Sequence, residues 1–159
     1  MNFKMRKIFI LSLIIIVCIF SNKAGAQTGM AQKAKSEIAF ITAINLMGKN
    51  SNIDADFVQM LTGKTAIKAA KKSGEAEYDI NAKGDTSWYV PNDYYILNSN
   101  KKIRKLLLAP SVNIYLVKDG GSKVTKSILP VLRKNYAGKI FKLLIEESKV
   151  VRIEEIYIP

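Results

Sequence analysis

Between residues 38 and 61 two stretches group their residues at period two, one on each side of a short polar break. Ile38, Phe40, Thr42, Ile44 and Leu46 share one face of the first stretch. In the second, Ile53, Ala55, Phe57, Gln59 and Leu61 share a face, with Asp54 and Asp56 opposite. Successive side chains of a strand point to opposite sides, so a period of two is a strand signature that a helix cannot use. Lys49-Asn50-Ser51-Asn52 has turn chemistry. The two stretches are expected to form a long hairpin with Phe40, Ile44 and Phe57 in the core.

Thr62 follows as a candidate helix N-cap, its hydroxyl placed to accept a backbone N–H of the first turn. Ala66, Ile67 and Ala70 make the apolar stripe of a short helix, Lys71 and Lys72 suit its negative C-terminal end, and Gly74 suits a left-handed cap. Residues 74–92 are polar and contain Gly84 and Pro91, which reads as a long loop. Strand patterns return over 94–97, 103–108 and 112–117, with Pro110 and Asp119-Gly120-Gly121 as breakers. Residues 127–136 read as a second short helix, with Pro130 tolerated in its first turn. Two last strands, 139–146 and 149–158, meet at Glu147-Ser148. The expected fold is α+β and mainly antiparallel: a small curled sheet or OB-like barrel with two short helices, one domain over 38–159 without internal repeats.

The N-terminus has a different grammar. Lys4, Arg6 and Lys7 precede an apolar run over residues 8–20, and Ala24-Gly25-Ala26 ends the stretch before Gln27. Positive start, short apolar middle and small-residue end make residues 1–26 a signal peptide, cleaved after Ala26, and 27–37 a flexible arm. The apolar run as a helix covers about 20 Å, short of the roughly 30 Å of a hydrocarbon core, which argues against an uncleaved anchor. Lipidation at Cys18 would prefer a small residue where Val17 stands. The mature chain is thus expected to be periplasmic or secreted, with no membrane span. Cys18 is the sole cysteine, so the exported part has no disulfide and relies on packing alone. Removing the first 26 residues takes four of the 25 basic residues and none of the 13 acids, leaving a net charge of +8. Such a surface attracts nucleic acid, lipopolysaccharide, wall polymers or acidic proteins, although a lysine-rich surface also serves solubility alone.

Several chemistries are missing. The chain has no histidine, which excludes serine–histidine and cysteine–histidine nucleophiles and an ordinary zinc site. Thr62-Gly63-Lys64-Thr65 has the ending of a phosphate-binding loop, but Val58 stands where the loop needs its first glycine, so no nucleotide is expected. Asp54 and Asp56 could face calcium, yet nothing nearby supplies the six to eight oxygens that ion takes; ion pairs with lysines, or a soluble outer face, are the plainer roles. Glu146-Glu147 and Glu154-Glu155 point to opposite faces of their strands, so no carboxylate pair forms. A serine–lysine dyad has candidates in Ser122, Ser127 and Ser148, with none singled out. No cofactor and no metal ligand are expected.

The segment with most character runs from Trp88 to Lys105. Trp88, Tyr89, Tyr94 and Tyr95 lie close together, and Lys101, Lys102, Arg104 and Lys105 follow. Aromatic rings beside cations suit stacking and phosphate binding. Equally, alternate aromatics enter cores, and lysines guard strand edges. Trp88, Tyr89, Lys101, Lys102, Arg104 and Lys105 are the candidate ligand-binding residues, brought onto one face if the loop folds back over the strand.

Asp56-Phe57-Val58-Gln59-Met60-Leu61-Thr62-Gly63, Pro91-Asn92-Asp93-Tyr94-Tyr95-Ile96 with Asn98, Asn100 and Arg104, and the ending from Lys149 to Pro159 together resemble a family of small exported bacterial proteins of unknown function. The likeness covers most of the chain from about residue 38. In similar proteins Asn-Gly precedes the last strand, where this chain has Glu147-Ser148. The resemblance implies export and a shared fold, and nothing chemical. The expected function is that of an exported, non-enzymatic binding module whose basic surface meets an anionic polymer or a protein. The alternatives are an accessory or inhibitor subunit that pairs with a partner protein, and a histidine-free hydrolase.

Overall fold

The computed structural model describes residues 34–118 and 121–158. The expected signal peptide and residues 27–33 of the expected arm lie outside the described residues. Strand β1 (Lys35–Asn45) already begins within the stretch read as an arm, because Lys35, Ser36 and Glu37 pair with Ile145, Leu144 and Leu143.

Strands β1 and β2 (Asn52–Thr62) form the expected hairpin, with one correction. The ladder shifts between Ile41 and Ala43, so Thr42 is an extra residue and its hydroxyl donates to the Asp54 carbonyl at 3.2 Å. A bulge reverses which residues face inward. Ala39 and Ile41 are buried before it and Ile44 after it, while Phe40 is only half-buried on the outside. Phe57 packs against the core without being fully enclosed. Ser51 holds the connection, donating to the Gly48 carbonyl and accepting from the Met47 N–H.

Helix α1 (Gly63–Ser73) starts after Thr62 as expected, but the Thr62 hydroxyl caps nothing; instead the Thr65 hydroxyl donates to the Thr62 carbonyl at 2.7 Å. Gly74 (φ +77°) closes the helix in the left-handed conformation, with the Glu75 N–H reaching the Ala70 carbonyl at 2.8 Å. Residues 74–92 are not one loop. They contain a hairpin of β3 (Glu77–Ile80) and β4 (Thr86–Tyr89). The Asn81 side chain holds its turn by accepting from the Lys83 and Asp85 N–H groups and donating to the Asp85 carboxylate. Strand β5 (Tyr94–Leu97) then returns to pair with the end of β2.

Pro110 does not divide the next strand. Strand β6 (Ile103–Val117) runs through it, since the proline sits where the ladder with the last strand shifts register and its missing N–H costs no bond. A short strand β7 (Val124–Ser127) pairs with the end of β6, so Ser127, read from the sequence as the first residue of a helix, belongs to a strand. Helix α2 (Leu129–Asn135), β8 (Ile140–Glu146) and β9 (Lys149–Glu155) complete the order.

Pairings β1–β2, β2–β6, β6–β9, β9–β8 and β8–β1 close a five-stranded barrel, with β5 and β7 as extensions. Only β6–β9 is parallel. This order, with a helix between the third and fourth barrel strands, makes the fold a small OB-like barrel. Ile53, Phe141, Leu143, Val150 and Ile153 fill the interior, and Leu132 of α2 joins the same core. Glu155, 7% exposed, accepts from the Val117 N–H at 3.1 Å and pairs with Lys139 at 2.8 Å, tying β9 to the end of β6. A second cluster of Ala66, Ala70 and Val90, with Leu61 and Tyr95 against it, seats α1 on β2 and β5. Among the described residues no helix is long and apolar enough to cross a membrane.

Candidate functional site

An α-helix advances 100° per residue, so Lys64, Lys68, Lys71 and Lys72 of α1, at i, i+4, i+7 and i+8, form one row. The buried residues Ala66 and Ala70 lie opposite, which turns the row to solvent, and all four lysines are exposed. The helix contains no acid. Glu75, just beyond it, accepts from the Tyr95 hydroxyl at 2.7 Å.

The β3–β4 hairpin lies against one end of this row. Its register sets Tyr78 opposite Trp88, with ring centroids 5.0 Å apart and planes at 48°. The Lys71 ammonium sits 4.1 Å from the centre of the Trp88 ring. Alternation divides the hairpin into two faces: Tyr78, Ile80, Thr86 and Trp88 on one, Glu77, Asp79, Ser87 and Tyr89 on the other. Tyr89 is therefore separated from its neighbour. Its hydroxyl bonds to the Glu77 carboxylate, which raises the phenol above its ordinary pKa, and the charges of Asp79 and Glu77 push the same way.

The basic tract occupies different surroundings. Lys101 and Lys102 precede β6, and the Lys102 N–H donates to the Asn100 side chain at 3.2 Å. Arg104 turns toward the barrel, 4.6 Å over the Phe57 ring, with a guanidinium N–H on the Lys102 carbonyl. Lys105 stands opposite Asp54 in the β2–β6 ladder. Among the described residues no hydrogen bond, ion pair or ring contact joins Trp88 or Tyr89 to Lys101, Lys102, Arg104 or Lys105. A direct ring-and-cation contact is made by Trp88 with Lys71. The lysine row was legible at its helical spacing, and the hairpin in the alternation of Tyr78 with Ile80 and Thr86 with Trp88 around Asn81 to Asp85.

Among the described residues Asp54 and Asp56 make no ion pair; Asp56 accepts from the Asn98 amide at 2.6 Å. The second oxygen of each carboxylate and the Asn98 carbonyl oxygen are buried without a donor. A cleft of about 430 Å³ lies between Lys49 and Ser51, the middle of β6, and Lys126 and Ser127. Neither the Ser122 nor the Ser127 hydroxyl has a lysine partner among the described residues. No protein-family model matches the chain, and neither a curated protein nor a solved structure does.

Proposed function

We propose that the protein is an exported, non-enzymatic binding module whose basic surface holds an anionic partner. The observation that carries this is the acid-free row of Lys64, Lys68, Lys71 and Lys72, continuous through Lys71 with the Trp88 ring. Four like charges on one short helix repel each other and gain when an anion neutralises them. The tract at 101–105 is the weaker candidate, since Asp54 faces Lys105 and Arg104 is turned onto Phe57. Export, with cleavage after Ala26 and a periplasmic or secreted destination, rests on the N-terminal pattern and on the resemblance to small exported bacterial proteins.

Trp88 is the only tryptophan, so its emission reports binding directly. Titration at low salt with single-stranded DNA, lipopolysaccharide and an acidic wall polymer is expected to move it for at least one of them. The affinity should fall as salt rises, because each neutralised anion releases counterions. Lys64, Lys68 and Lys72 changed together to Gln should flatten that slope more than Lys101, Lys102 and Lys105 changed to Ala. No response and no retention of any anion would sink the reading.

One observation favours a second reading. Strands β5 and β7 end the seven-stranded sheet, so among the described residues each keeps an unpaired outer edge on which a partner protein can add a strand. An accessory or inhibitor role of this kind predicts co-purification with a protein that survives high salt, which an ionic partner does not.

A further inference from the structure

From the hairpin and the helix beside it we infer that this surface seats the protein on an anionic phospholipid bilayer. The inference rests on the basic-surface reading above and names the class of partner. Ile80 is 63% exposed and Tyr78 55% exposed, on the hairpin face that also carries Trp88. The carboxylates of Glu77 and Asp79 are confined to the opposite face, so no strand residue on this side is acidic, and the Asp85 carboxylate in the turn is held by the Asn81 amide. Indole and phenol rings favour the headgroup level, where one end is apolar and the other wet. An exposed isoleucine beside them, toward the turn, gains by leaving water for the acyl boundary.

The same details weigh against a single-stranded nucleic acid. Base stacking needs an open aromatic face, whereas Trp88 has Lys71 over its ring and Tyr78 beside it. Ile80 offers no π face at all. The lysine row of α1, joined to this face at Lys71, supplies the attraction to anionic headgroups, about fivefold in partitioning for each lysine near the surface. The hairpin inserts and the helix holds.

The test uses the protein as its host delivers it, with the N-terminus read by mass spectrometry. Flotation is compared on phosphatidylcholine vesicles with and without phosphatidylglycerol, and Trp88 emission is followed with brominated acyl chains in the bilayer. Binding to the anionic vesicles alone, weakened by salt, with a blue shift and quenching of Trp88, is the expected result. Ile80→Asp should reduce flotation at least tenfold and abolish the quenching. Lys64, Lys68 and Lys72 changed together to Gln should cost more than tenfold. Circular dichroism should show both variants folded, since the substituted side chains are exposed. Retention on single-stranded DNA without flotation overturns the lipid inference and leaves the basic-surface reading standing. Failure to float overturns the lipid inference, and failure to retain single-stranded DNA, lipopolysaccharide and wall polymer as well overturns both. Flotation with Trp88 unquenched, or unaffected by Ile80→Asp, overturns the assignment to the hairpin.

Discussion

Lys71 of α1 holds its ammonium 4.1 Å from the centre of the Trp88 ring, across a turn that separates the helix from a two-stranded hairpin. A cation over an indole at an exposed site is worth about 0.5–1 kcal/mol, and a lone two-stranded hairpin is marginal in water. Lys71→Ala should therefore loosen β3 and β4 without touching the barrel. Amide hydrogen exchange is expected to quicken by about two- to fivefold over Glu77–Ile80 and Thr86–Tyr89. Protection of Ile53 and Leu143 should not change. Uniform quickening through the chain would show that the contact does not act locally.

The bulge at Thr42 yields a test of the register. Phe141 is fully buried, and Phe141→Ala should cost about 3–5 kcal/mol in urea unfolding. Phe40 lies half-buried outside the barrel, and Phe40→Ala should cost less than about 2 kcal/mol, as part of its surface stays in water. Phe57→Ala should fall between them. Equal losses at Phe40 and Phe141 would place the bulge elsewhere.

Glu155 is a buried acid with two distinct partners, the Val117 N–H and Lys139. Lys139 is 39% exposed, so solvent screens the ion pair and the backbone bond matters more. Glu155→Ala leaves the Val117 N–H without an acceptor and should cost about 1–3 kcal/mol. Glu155→Gln keeps an acceptor and should cost roughly 1 kcal/mol or less. Chemical denaturation of both variants separates these contributions, and equal losses would make the pair with Lys139 the stronger tie.

Glu147 and Ser148 turn β8 into β9 with φ of +47° and +63°. Two residues in the left-handed region are the geometry that hairpins of this length favour, and one in which a side chain such as Glu is strained. Glu147→Asn is expected to stabilise the protein by about 0.5–1 kcal/mol, seen as a rise in Tm of roughly 2–4 °C. A lower Tm would mean that Glu147 makes the turn by some contact its replacement loses.

The sequence by itself determined most of the elements. Period-two stretches, a Thr-Gly start and a Gly74 stop, and two-residue connections are local features, and the chain folded them where local rules place them. It also determined that the sequence offers no histidine and no cysteine other than Cys18, since that depends on composition alone. Tertiary structure decided which side of each strand faces inward. The inserted Thr42 reverses the face of β1, and only the partner strand shows that one residue of β1 lacks an opposite number. It likewise carried β6 through Pro110, because the ladder to β9 shifts there and asks for no N–H. And it decided which cations meet the rings. In sequence Trp88 is nearer to Lys101 than to Lys71, but the turn at Asn81 to Asp85 pairs Trp88 with Tyr78, and the Trp88 ring meets Lys71 of α1. Contacts between elements depend on how the chain closes on itself, which local preference does not encode.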